Sequence, residues 1–232
     1  MLTQPGPSLT DLALGLLTLA LLPAVRRPGV NRYWRATVWC AAVAALAGAV
    51  HHGFIVRSER WAGPSWALVS VIVVVTISFT LAATVADLLT PRQARVFAVV
   101  RVVSLASYAA LALTGHYGVT TILACESVTM AAVVILWILA LRRGDPRARS
   151  MVIAFVVSAA AGVMRAVPGS VTRVVGLDPV SLYHLAQMPA MVTLCLALHH
   201  RAAKGRTGDL GDRGGRGGSA ATAAGHQPAV AR

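Results

Sequence analysis

Seven long apolar runs, separated by short loops that hold nearly all the charge, constrain this chain more than any other feature of its sequence. They cover residues 9–25, 36–56, 65–89, 96–115, 119–141, 151–167 and 180–199. A helix that crosses the hydrocarbon core of a bilayer needs about 20 consecutive apolar residues. A backbone in lipid must also satisfy its own hydrogen bonds, which leaves helices or closed barrels. Leu, Val and Ala dominate every run and no period-two alternation of the barrel kind is present, so the runs predict helices. The expected fold is all-α, a polytopic membrane bundle of seven transmembrane helices over residues 1–201. Residues 202–232 are Gly-, Ala- and Arg-rich without periodicity, which predicts a disordered basic cytoplasmic tail. Composition agrees: 56% of residues are hydrophobic, 12% are charged and the mean hydropathy is +0.69. A soluble domain carries about 25% charged residues.

The loops orient the bundle. Residues 1–8 contain no Lys or Arg, so the first run lacks the basic leader of a signal peptide. Basic residues fall instead on alternate connections: Arg26, Arg27, Arg32 and Arg35; Arg92 and Arg95; Arg142, Arg143, Arg147 and Arg149; and, in the tail, Arg201, Lys204, Arg206, Arg213, Arg216 and Arg232. The opposite connections hold only Arg57, Arg60 and Arg173, while Arg101 and Arg165 lie within runs. Cytoplasmic loops are the Lys- and Arg-rich ones. The bias therefore puts the amino terminus outside and the tail inside, and requires an odd number of crossings. The net charge of +13 is thus explained by topology, with the lipid bilayer as partner and no nucleic acid. The Ala- and Arg-rich, Lys-poor composition points to a bacterium and a multi-pass protein of its inner membrane. Cys40, Cys125 and Cys195 all fall inside apolar runs, an odd count that is no disulfide framework.

Ionisable side chains inside spanning helices are costly and mark function or pairing. With the amino terminus out, Asp11, His51, His52, His116, Glu126, Arg165, Tyr183, His184 and Gln187 all fall toward the outer face. Asp11 reads as a helix-start residue among headgroups, and Asp87 and Arg101 as interfacial groups nearer the inner face. Glu126 and Arg165 match in depth and read as an ion pair between the fifth and sixth helices. His52 and His184 are the leading candidates for a site. Asp11, His51, Glu126, Arg165, Tyr183 and Gln187 form its supporting polar cluster.

Two segments carry a resemblance: Gly48-Ala49-Val50-His51-His52-Gly53-Phe54, and Leu182-Tyr183-His184-Leu185-Ala186-Gln187-Met188. They resemble an uncharacterised bacterial family of multi-pass membrane proteins. That family is in turn similar to the seven-helix hydrolase superfamily of alkaline ceramidases and adiponectin/progestin receptors. The resemblance implies a zinc held by one His on the second helix and two His, four apart, on the seventh. A fourth position is then left for a water whose pKa falls to about 7. It places the first ligand at His52 (or His51) and the next at His184. The last ligand falls on Met188, whose thioether suits zinc poorly. The superfamily's Ser falls on Gly48 (or Ala47), and its Asp early in the third helix is missing, since Asp87 lies at the far end. The expectation is an integral membrane protein with a degenerate hydrolase-like polar site, and an enzyme only if a further ligand is recruited. The alternatives are a non-catalytic sensor or accessory subunit, an active zinc-dependent lipid amide hydrolase, and a haem or quinone redox protein. A retinal protein is excluded, because Lys204, the single lysine, lies beyond the seventh run.

Overall fold

The computed structural model describes residues 1–164 and 176–216. These form helices α1 (Pro5–Val25), α2 (Arg32–Val50), α3 (Ala62–Leu88), α4 (Pro91–Leu113), α5 (Val119–Arg142), α6 (Ala148–Met164) and α7 (Pro179–Arg216). A π-helical turn, His51–Ile55, extends α2. No strand occurs among the described residues. Among the described residues, six helical stretches are long and apolar enough to cross a membrane: Pro5–Val25, Arg32–Ile55, Ala62–Leu88, Pro91–Leu113, Val119–Arg142 and Pro179–His199. The longest, 27 residues, would span about 40 Å at 1.5 Å per residue. The apolar part of α6, Ala148–Gly162, is shorter.

Capping chemistry explains where the helices begin. α1 starts at Pro5, whose fixed φ and missing N–H suit a first turn. α2 starts at Arg32 rather than at the first apolar residue, because the Asn31 side chain accepts hydrogen bonds from the backbone N–H groups of Tyr33 and Trp34. Gln93 accepts from the Thr90 backbone N–H at the head of α4. Asp178 accepts from Val180 and Ser181 at the head of α7. α4 and α5 both end at a glycine of positive φ, Gly115 (87°) and Gly144 (79°). The next residue's N–H then returns five residues back, His116 to Leu111 and Asp145 to Ala140, which satisfies the last carbonyls.

α1, α2, α3, α5, α6 and α7 pack in succession and α7 returns to α1, closing a ring; α4 lies outside it, against α3 and α5. Only Ser104 and Tyr108 of α4 are buried, while Val96, Val99, Val102 and Val103 face outward. A polar inner stripe under an apolar outer face is the reverse of a soluble amphipathic helix, and it fits a bundle surrounded by lipid.

The largest apolar cluster fills one end of the ring. Leu22, Val25, Trp34, Leu81, Val85, Trp137, Met151, Leu194 and Leu198 meet there. Trp137 donates its indole N–H to Thr84 at 3.1 Å. At this end Asp87 accepts from Asn31 Nδ2 at 2.7 Å and from Trp34 Nε1 at 2.9 Å. Asp87 therefore clamps α2 to α3. Arg101 lies eleven residues into α4 and donates to Ser78 of α3 at 3.0 Å. All three cysteines are free. α7 continues to Arg216, through the first part of the stretch expected as an irregular tail; residues 217–232 lie outside the described residues.

Candidate functional site

The opposite end of the ring is polar, and three elements meet there: the first half of α1, the π turn after α2 and the first turns of α7. Residues of α1 approach their neighbours at positions where a larger side chain would collide. A Cβ on Gly48 would strike the Asp11 carboxylate, one on Gly53 would stand 2.7 Å from Ser8 Oγ, and one on Gly6 would stand 2.8 Å from Ser181 Oγ. Ser8 donates to the Ala49 carbonyl at 2.9 Å. The backbone N–H groups of Thr3 and Gln4 reach the carbonyls of Gly53 and His52. Small residues are how helices in lipid come this close, since no water-driven force holds them together.

Asp11 is the centre of this end. The proline-started first turn carries α1 back to Pro5, so Asp11 is the seventh residue of the helix and is only 5% exposed. The expectation that Asp11 starts the helix is thereby corrected. Its Oδ1 lies 3.2 Å from His184 Nε2, and its Oδ2 lies 3.9 Å from His52 Nε2. The two imidazole rings are 6.4 Å apart.

The other nitrogen of each imidazole has its own partner. His52 Nδ1 lies 2.8 Å from Gln4 Oε1, a pure acceptor, so Nδ1 carries the proton. His184 Nδ1 lies 3.1 Å from Thr10 Oγ1. The Thr10 hydroxyl is within donating distance of the Gly6 and Pro7 carbonyls, at 3.0 and 3.2 Å, and so accepts from Nδ1–H. With Nδ1 so engaged, both imidazoles turn Nε2 toward the Asp11 carboxyl group. A ring nitrogen and a carboxylate oxygen share such a space with a proton or a metal cation between them.

His51 takes a different direction. The wider π turn separates the two adjacent histidines, and such turns concentrate at functional sites. His51 is buried, with Nδ1 3.2 Å from Ser65 Oγ and its ring 5.3 Å from Trp66, both on α3. The His51 and His52 rings are 5.2 Å apart, edge to face. Tyr183 stacks edgewise on His184 at 5.2 Å. Gln187 points away, donating to Ser158 of α6 at 2.6 Å. Glu126 is on the far side of the ring, on α5 against Ser104 of α4. His116 is exposed and bonds Thr114. Arg165, expected as the partner of Glu126, lies outside the described residues. Met188 is half-buried on α7, one turn beyond His184.

Among the described residues, no three His, Cys, Asp or Glu side chains already stand in a metal-binding arrangement. Two ligands of one tetrahedral zinc, each about 2 Å from it, lie about 3.3 Å apart. The His184–Asp11 spacing meets that and the His52–Asp11 spacing exceeds it. The donor chemistry suits zinc, while the geometry stops short of a closed site.

Gln4, Thr10, Ser65 and Trp66 were not expected here. Of these, only Thr10, adjacent to Asp11, had a signal in the sequence. Outside the spans, Asp178 sets the entry of α7. Partial burial opposes its charge, but hydrogen bonds from Ser181 and the backbone outweigh that and hold its carboxyl below the ordinary aspartate value of 3.8.

The chain belongs to a family of unknown function (DUF6962), whose sequence pattern matches residues 7–203 and so takes in the whole of this cluster from Ser8 onward. No curated protein and no solved structure matches it.

Proposed function

We propose that this chain is a multi-pass integral membrane protein, amino terminus outside and tail in the cytoplasm, that serves as a non-catalytic sensor. Its outer end takes up a divalent transition-metal cation. One observation carries the reading: two imidazoles from different helices, each fixed through Nδ1–H by a neighbouring oxygen, present Nε2 to one buried carboxylate. Metal-ligating histidines have this outer-shell pattern. His52, His184 and Asp11 would hold the ion, and it would supply positive charge between the ring nitrogens and the carboxylate. Occupancy draws α1, the α2 turn and α7 together, which is how a bound ion becomes a change in helix packing. The non-catalytic part rests on Met188, which stands where the hydrolase superfamily has its third imidazole. The orientation rests on the basic residues of alternate loops. A bacterial inner membrane is the location that the composition favours.

Metal analysis of protein purified in mild detergent tests the site. About one equivalent of zinc is expected per chain, falling at least tenfold in His184→Ala. Protein that takes up no zinc at micromolar free metal would overturn the proposal. Zinc-dependent hydrolysis of a lipid amide, abolished in the same variant, would keep the site and overturn its non-catalytic reading. A cytoplasm-active reporter fused to the tail tests the orientation; activity on the outer side alone contradicts it.

A further inference from the structure

The outer seam between α2 and α3 holds an open apolar groove, away from the histidine cluster. Trp39, Cys40 and Val43 of α2 line one wall, and Val71, Ile72 and Val75 of α3 line the other. Trp39, Val43 and Val71 are exposed, so the groove opens outward, and it presents only apolar surface. One turn beyond Val75, Phe79 stacks on Tyr33 at 6.5 Å and bridges the same seam. Three arginines gather at that end, where α2 begins. Arg26 holds its guanidinium over the Trp39 ring, 6.0 Å from the centre, and Arg32 holds its own over Tyr33 at 5.0 Å. Arg35 is four residues before Trp39 and so shares its helix face. All three are exposed, and among the described residues none of them forms an ion pair.

Stacking occupies the face of a guanidinium and leaves its N–H edge for an acceptor. Such an edge matches the oxygens of a phosphate. A free phosphate or an acidic peptide would use the arginines and leave the apolar groove empty, whereas a phospholipid uses both. Arginine-rich ends of a membrane protein also draw anionic lipid toward them. We propose that the α2–α3 seam binds one anionic phospholipid, its acyl chain in the groove and its phosphate on Arg26, Arg32 and Arg35. The site rests on the membrane part of the function proposed above and is independent of the metal.

Thermal unfolding of the full chain in mild detergent tests this, with added dioleoylphosphatidylglycerol, dioleoylphosphatidylcholine or inorganic phosphate. Phosphatidylglycerol at about ten times its Kd is expected to raise the midpoint by about 3–6 °C, and the other two by less than about 1 °C. The rise should vanish when Arg26→Gln and Arg32→Gln are combined. It should vanish also in Val43→Trp, which fills the groove and leaves the arginines in place. It should persist when Arg142→Gln and Arg143→Gln are combined, since these remove the same charge from the α5–α6 connection. An equal rise with phosphatidylcholine or with phosphate, or one that survives in Val43→Trp, overturns the proposal. So does equal loss in the two arginine pairs, which would mark a diffuse surface charge. Washing membranes in alkaline carbonate separates the two kinds of failure. Release of the chain overturns the membrane reading, while a retained chain with no preference for phosphatidylglycerol overturns this site alone.

Discussion

Asp11 and Asp87 sit at opposite ends of the ring, and both carboxylates tie α2 to a neighbouring helix. Asp87 is held by the Asn31 amide and the Trp34 indole, donors that cannot lose their protons at any physiological pH. Its surroundings are the apolar cluster around Trp34, Leu81 and Trp137. Asp11 faces two imidazoles, whose donor capacity depends on what else is bound. The same residue type therefore does two jobs. One carboxylate is held by fixed donors, while the other faces rings whose donor capacity can change, and the two lie at opposite ends of the bundle.

The largest effect expected from that contrast is at the clamp. Asp87→Ala leaves the Trp34 indole N–H and one amide N–H of Asn31, whose Nδ2 also reaches the Ala83 carbonyl, without an acceptor and should cost about 2–3 kcal/mol, read as a lowered unfolding midpoint in detergent. If Asp11→Asn lowered the midpoint further than Asp87→Ala in metal-free buffer, the division of labour would be wrong. Next is Gly48→Ala, which forces a methyl into the Asp11 carboxylate. It should cost about 1–3 kcal/mol by overpacking and also weaken zinc uptake, whereas an equal insult at the clamp end leaves uptake unchanged.

A smaller loss, about 1 kcal/mol, is expected for Asp178→Ala, which removes the cap of α7. Because the folded carboxyl titrates below 3.8, the cap's contribution is complete above that value and is lost as the pH falls through the lower folded one. Wild type and variant should converge in acid, and a gap that widened there would contradict the cap. The smallest effect on intrinsic stability is at Asp11 itself. Asp11→Asn should cost under about 1 kcal/mol without metal, yet abolish any rise in midpoint on adding zinc.

Level along the bundle axis was legible in the sequence; rotation about each helix axis was not. Each of the seven apolar runs corresponds to a helix among the described residues, six of them long and apolar enough to cross a membrane, and His52 and His184 were placed at one level by counting residues. Asp11 was at that level too, but the expected helix start omitted the Pro5 and Pro7 turn that carries it inward. Glu126 shared the depth as well, and the structure puts it across the ring from the histidines. Only packing decides such azimuths, and the sequence clue was indirect: Gly48 is the glycine that lets Asp11 reach His52. The Asn31 cap, which starts α2 ahead of the apolar run at Ala36, went unread, and its second role on Asp87 needed the fold.

The π turn at His51–Ile55 has a consequence for how chains of this kind can change in length. Such a turn is one residue more than an α-helix needs. Removing a single residue from it, such as the exposed Phe54, relaxes it to α geometry while α2 before it and α3 after it keep their places. Elsewhere in a spanning helix a deletion rotates everything beyond it by about 100° and scrambles the packing. Here the shift is absorbed within five residues, and what changes is the direction in which the two histidines point. A one-residue deletion here is expected to be absorbed locally, whereas one inside another helix of the ring would turn the packing beyond it.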